Sequence, residues 1–139
     1  MITLPNGVDI NNLIEDLKNY SWEAADILIN YSEKIKDFKV KNEVLKSIDL
    51  NNPVTEADLK VNELIIKNIR ENYLDIDWDI LSEENVKNYQ LENNKSDWLW
   101  ILDPLDGTKD FIQETGEYAM HLALNYQGRP YIGIVLIPS

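Results

Sequence analysis

The sequence predicts an α+β layered domain in which two N-terminal helices pack on a largely antiparallel sheet. Three observations predict it. Helical periodicity dominates the first half, short apolar runs dominate the second, and the two periodicities change over once, near Tyr73. The 139 residues fit one domain, taken as residues 1–139, and four Trp and seven Tyr supply material for a core.

The first helix is read from Ile10, Leu13, Ile14, Leu17, Ser21, Ala24, Ala25, Leu28 and Tyr31, which recur at the i, i+3, i+4 spacing of one face, with Asp9 as N-cap. Charge density rises from Lys36 to Val44, and 46–52 reads as a loop closed by Pro53, because Asn, Asp and Ser compete for backbone hydrogen bonds. Thr55 then caps a second helix with Ala57, Val61, Leu64, Ile65 and Ile69 on its apolar side, ending near Asn72. Trp78–Leu81 reads as a short strand leading into Ser82-Glu83-Glu84, followed by a polar excursion to Asp97. Trp98–Leu102 is five bulky apolar residues in a row, which predicts a strand buried on both faces, stopped by Pro104 and delivering Asp103 at its carboxyl end. Runs 118–124 and 131–137 flank a hairpin turn over Tyr126–Pro130. The last run meets Pro138-Ser139 with no closing helix, so the expectation is a truncated fold whose uncovered strand favours self-association or a homodimer.

Thirteen basic against twenty-five acidic side chains give a formal charge of −12, which excludes nucleic-acid backbones and anionic membranes as partners. A phosphorylated small molecule would need metal cations as intermediaries. With no cysteine, thiolate sites are excluded and any metal must be a hard, oxygen-liganded ion. Neither a signal sequence nor a transmembrane span is evident, so a cytoplasmic protein is expected.

Asp103-Pro-Leu-Asp-Gly-Thr108 packs two carboxylates, a turn and a hydroxyl into one short segment. Pro104 keeps Asp103 extended, and Gly107 permits a tight turn that brings Asp106 beside it. Two carboxylates so placed call for a cation, with magnesium the natural candidate. The Leu105 carbonyl and Thr108 hydroxyl add oxygen donors, and a short helix opening at Gly107-Thr108 turns free amides toward phosphate. An EF-hand frame, with Asp103 and Glu114 at its first and last ligand positions, is defeated by Leu105, Gly107 and Thr108 where that loop needs other residues. His121 reads as a packed, hydrogen-bonded histidine and the tryptophans as core and edge packing.

The hexapeptide resembles the D-P-[IL]-D-G-[ST] signature of the lithium-sensitive phosphatases related to inositol monophosphatase. Pro53-Val-Thr-Glu-Ala-Asp58 is similar to the upstream V-T-x-x-D element of that family, and Leu81-Ser-Glu-Glu84 to its [GS]-E-E element. The resemblance implies the layered sandwich of that fold without its C-terminal α/β half, and two or three Mg2+ ions. It implies Glu83, Asp103 and the Leu105 carbonyl as ligands of the first ion, and Asp106 with a bridging Asp103 as ligands of the second. Asp58, Glu83 and Thr108 would be catalytic, orienting water around a further ion, with Glu84 behind them and Gly107 and Thr108 on the substrate phosphate. The remaining family carboxylate, in a W-D-x-A element, has no counterpart here; Trp78-Asp79 precedes the Glu-Glu element and continues into a strand. Gly107-Thr-Lys-Asp-Phe111 resembles the 3′(2′),5′-bisphosphate nucleotidases, implying 3′-phosphoadenosine 5′-phosphate as substrate and a place in sulfur metabolism. The alternatives are an inositol monophosphatase-type activity or a non-catalytic fragment serving in assembly. Taken alone, Thr55 to Asp58 is also an ordinary helix start, and Glu83-Glu84 ordinary surface charge.

Overall fold

A computed structural model describes residues 2–41, 51–82 and 96–138. Along the chain these form α1 (Ile10–Lys41), α2 (Asn51–Asn72), β1 (Asp79–Ser82), β2 (Trp98–Asp106), α3 (Thr108–Gln113), β3 (Ala119–Tyr126) and β4 (Arg129–Leu136). The sheet order is β1-β2-β3-β4, with β1 parallel to β2 and the other two pairs antiparallel. The predicted α+β class and two-helix layer are therefore present.

Asp9 caps α1, its carboxylate accepting the Asn12 amide at 3.0 Å. The buried stripe Leu13, Leu17, Tyr20, Ala24, Leu28 and Tyr31 continues to Ile35, one turn past the face anticipated from sequence. The charged residues that follow still propagate the helix, since Lys and Asp on its open sides cost it little. At α2 the expectation needs correction: Thr55 is not the cap, because the helix already begins at Asn51. Pro53 falls in its first turn, where the missing N–H has no intrahelical partner to lose. Of the expected loop, positions 46–50 lie outside the described residues. Val54, Ala57, Val61, Ile65 and Ile69 turn inward as read from their spacing.

Pro104 does not end β2, which runs on to Asp106. β1 pairs with β2 only as far as Leu102, so no ladder bond from that side is asked of Pro104, and the register to β3 is irregular between Asp103 and Asp106. Nor is the strand buried on both faces. Trp98, Trp100 and Leu102 join Met120, Leu122 and Leu124 beneath the helices, whereas Ile101 is 38 % and Val135 63 % exposed on the other face. An unbroken apolar run cannot report which face is covered; the helices cover one, and among the described residues nothing covers the other. The β3–β4 hairpin turns at Gln127 and Gly128, both with positive φ (49° and 79°), the conformation of a two-residue type I′ turn. No helix among the described residues is long and apolar enough to cross a membrane.

Candidate metal centre

In a regular strand, residues three apart point to opposite faces. Asp103 and Asp106 escape this because β2 carries one extra residue there: Asp103 stands opposite His121 and Asp106 opposite Ala119, so three steps on β2 match two on β3. That bulge returns both aspartates to the same side of the sheet, the side away from the helices. Pro104 and Leu105, the residues it takes up, are both buried, and Leu105 anchors the turn in the core.

Asp103 is half-buried, and its Oδ1 is buried with no hydrogen-bond partner among the described residues. Such an oxygen, acceptor-only and withdrawn from water, is costly unless a cation or donor reaches it. Asp106 is more open, and its Oδ2 lies 3.7 Å from His121 Nε2. His121 is thus not the packed histidine anticipated: its side chain is 47 % exposed at the corner shared by the two aspartates. The signal was parity, since His121 falls between the inward-facing Met120 and Leu122.

Gly107 follows with φ 83° and ψ 47°, and a Cβ there would stand 2.9 Å from the Glu117 carbonyl oxygen, so the tight turn does require glycine. Its carbonyl accepts the Phe111 amide at 2.9 Å, closing the first turn of α3, and no side chain caps that helix. Thr108 is exposed at its start. Within Lys109-Asp-Phe111 the roles divide. Phe111 is fully buried, edge-on to Tyr118 at 4.8 Å, and Asp110 Oδ1 accepts the Thr115 hydroxyl at 3.0 Å, which leaves Lys109 as the exposed member. Burial pushes the Tyr118 phenol up from its ordinary value, opposed by its hydrogen bond with Ser32 of α1.

Of the other anticipated ligands, Asp58 is half-buried on α2, while Glu83 and Glu84 lie outside the described residues. Among the described residues no three carboxylate or imidazole side chains gather closely enough to hold an ion. What the fold does is turn Asp103 and Asp106 to one side of the sheet at the end of β2, with His121 opposite Asp103 in register and 3.7 Å from the Asp106 carboxylate. β1 ends at Ser82, whose register partner Leu102 immediately precedes Asp103. The orphaned Asp103 oxygen and the all-oxygen character of the anticipated donors fit a hard divalent cation such as Mg2+.

Residues 10–139 match the model of the inositol monophosphatase family. A 3′(2′),5′-bisphosphate nucleotidase CysQ from Salmonella typhimurium is 38 % identical over 88 residues, covering 63 % of this chain and 35 % of its own. The Nus factor SuhB of Pasteurella multocida is 36 % identical over 116 residues, covering 84 % and 40 %. Among solved structures, CysQ from Bacteroides thetaiotaomicron, itself described as a bacterial member of the inositol monophosphatase family, superposes with a TM-score of 0.71 at 29 % identity over 93 % of this chain and 43 % of that one. The chain therefore spans a little over a third of the length of the curated relatives it matches. Motifs, fold and relatives agree: the chain belongs to the inositol monophosphatase family.

Proposed function

We propose that this chain forms the metal- and phosphate-binding part of a magnesium-dependent phosphatase that hydrolyses 3′-phosphoadenosine 5′-phosphate to AMP and phosphate. The observation that carries the reading is the buried, unpartnered Asp103 oxygen at the end of β2, with Asp106 returned to the same side by the bulge. Asp103 and Asp106 would hold Mg2+, with Glu83 and the Leu105 carbonyl completing the first site and Asp58 contributing to a third. The bound ions supply an activated water and charge neutralisation for in-line displacement. The chain's own part is to fix the donors. Leu105 and Phe111, both buried, pin the turn on either side of Gly107, and the Gly107 and Thr108 backbone with the Thr108 hydroxyl receives the phosphate oxygens.

The choice of ester rests on Gly107-Thr-Lys-Asp-Phe111 and on relatives named as 3′(2′),5′-bisphosphate nucleotidases. Because Phe111 and Asp110 are engaged in holding α3, Lys109 is the member of that motif left to meet a second phosphate. Phosphate release by the full-length protein is measured with Mg2+ against 3′-phosphoadenosine 5′-phosphate and inositol 1-phosphate. A higher kcat/KM for the bisphosphate is expected. Preference for the inositol ester would move the protein to the alternative activity, and Mg2+-independent turnover would remove the mechanism.

A further inference from the structure

α3 has six residues, too few to persist without tertiary anchors, yet it directly continues the Asp103–Thr108 turn. Its anchors come from two directions. From within, Phe111 is fully buried with its ring edge-on to that of Tyr118, which is itself buried. From outside, Lys39 Nζ donates to the Ile112 carbonyl near the last turn of α3 and pairs with Glu114 Oε2 at 3.4 Å. Glu114 is the C-cap, in a left-handed conformation with φ 60°. Lys39 stands four residues, about one turn, beyond the fully buried Ile35 and so lies on the same side of α1. An ammonium at a helix C-terminus satisfies a carbonyl that has no intrahelical donor and opposes the negative end of the helix dipole.

We propose that Lys39 is a positioning residue for the metal-binding turn: it clamps the far end of α3 to α1 and so fixes Gly107, Asp106 and Asp103 at the near end. Its meaning for metal binding rests on the assignment of Asp103 and Asp106 above; the clamp itself does not. Lys39→Met removes the ammonium and keeps the stem, while Lys39→Arg restores a donor of similar reach. In hydrogen exchange of the full-length protein, the Phe111 and Thr115 amides, bonded to the Gly107 and Asp110 carbonyls, report on α3.

Lys39→Met should accelerate these two amides about fivefold to tenfold, the expected scale for losing one charge-assisted helix-end contact, and leave Leu122 and Leu124 of β3 unchanged. Lys39→Arg should return them to the wild-type rate. Mg2+ titrated calorimetrically should bind several-fold more weakly to Lys39→Met than to wild type or Lys39→Arg. Unchanged exchange at Phe111 and Thr115, or equal acceleration across the sheet, would overturn the clamp. Local acceleration with unaltered Mg2+ affinity would overturn its role in positioning the ligands. A wild-type protein that binds no Mg2+ would refute the metal assignment instead, with the clamp still decided by the exchange rates.

Discussion

Gly107 and Gly128 form a matched pair for testing how the Asp103–Thr108 turn is built. Both hold φ near +80°, but an added Cβ meets the Glu117 carbonyl oxygen at 2.9 Å and Tyr118 Cα at 3.4 Å at Gly107, and nothing within 4 Å at Gly128. Ala at Gly128 therefore suffers only the left-handed conformation, about 1 kcal/mol. Ala at Gly107 suffers that and a backbone collision as well. The carbonyl belongs to the segment that turns into Tyr118, whose ring is packed on Phe111, so it cannot retreat without disturbing the core. Overpacking of this kind adds about 1–3 kcal/mol, for a total of about 2–4 kcal/mol. Urea unfolding of both variants, with equal m-values as the condition for comparing them, gives the two losses directly. If they agree within about 0.5 kcal/mol, the close approach at Gly107 contributes nothing and the requirement for glycine is conformational alone.

Further outcomes are expected elsewhere in the molecule. Asp103→Asn should abolish stabilisation by Mg2+ in thermal unfolding while leaving the metal-free protein as stable as wild type or up to about 1 kcal/mol more so, because a buried charge without a partner is removed. A clear loss of stability in chelator would show that Asp103 already has a protein partner. Phe111→Ala should cost about 3–4 kcal/mol by chemical denaturation, since the ring is fully buried beneath the turn; a loss under 1 kcal/mol would mean that α3 is not anchored there. Tyr20, Tyr73 and Tyr118 all have phenols raised above their ordinary value, first by burial, and the Asp16 carboxylate accepting the Tyr73 hydroxyl at 2.5 Å adds to the rise. The unfolded phenols ionise near about pH 10 while the folded ones stay neutral, so the stability they contribute is complete below that pH and is lost as pH rises through the folded values. Urea midpoints should fall steeply above about pH 10, less so for Tyr73→Phe; a flat alkaline limb in wild type would contradict the burial of these groups.

The aspartate motif was legible because its chemistry is local: a proline, a glycine and two carboxylates within one turn state their own geometry. Even so, Pro104 was read as a stop when it sits in a bulge, since neither the reach of β1 nor the register of β3 can be seen in β2 itself. The same blindness to neighbours explains Ile101, whose apolar side chain implied a covered face, and His121, whose alternation with Met120 and Leu122 placed it outward although its residue type did not. Thr55 looked like a cap because caps are recognised by residue type, while the two preceding asparagines and Pro53 are compatible with a first turn that only the helix position reveals. Lys39 carried no signal at all. Its partners, Ile112 and Glu114, lie more than seventy positions away, and a lone lysine at the end of an amphipathic helix looks like any solvated charge.

The parallel pairing of β1 with β2, beside two antiparallel pairs among the described residues, carries a directional consequence. Strands that run the same way discharge their following residues at the same edge, so the chain leaves Ser82 where β2 delivers Asp103. Had β1 been antiparallel over the same four residues, its exit would move to the opposite end of the pairing, about 10 Å away at the rise of a strand. An oxygen ligand binds magnesium at about 2 Å, and no side-chain rotamer spans that difference. A parallel neighbour also cannot be joined by a tight hairpin. The vector of a four-residue strand thus governs at which edge of the sheet, relative to Asp103, the chain emerges after Ser82.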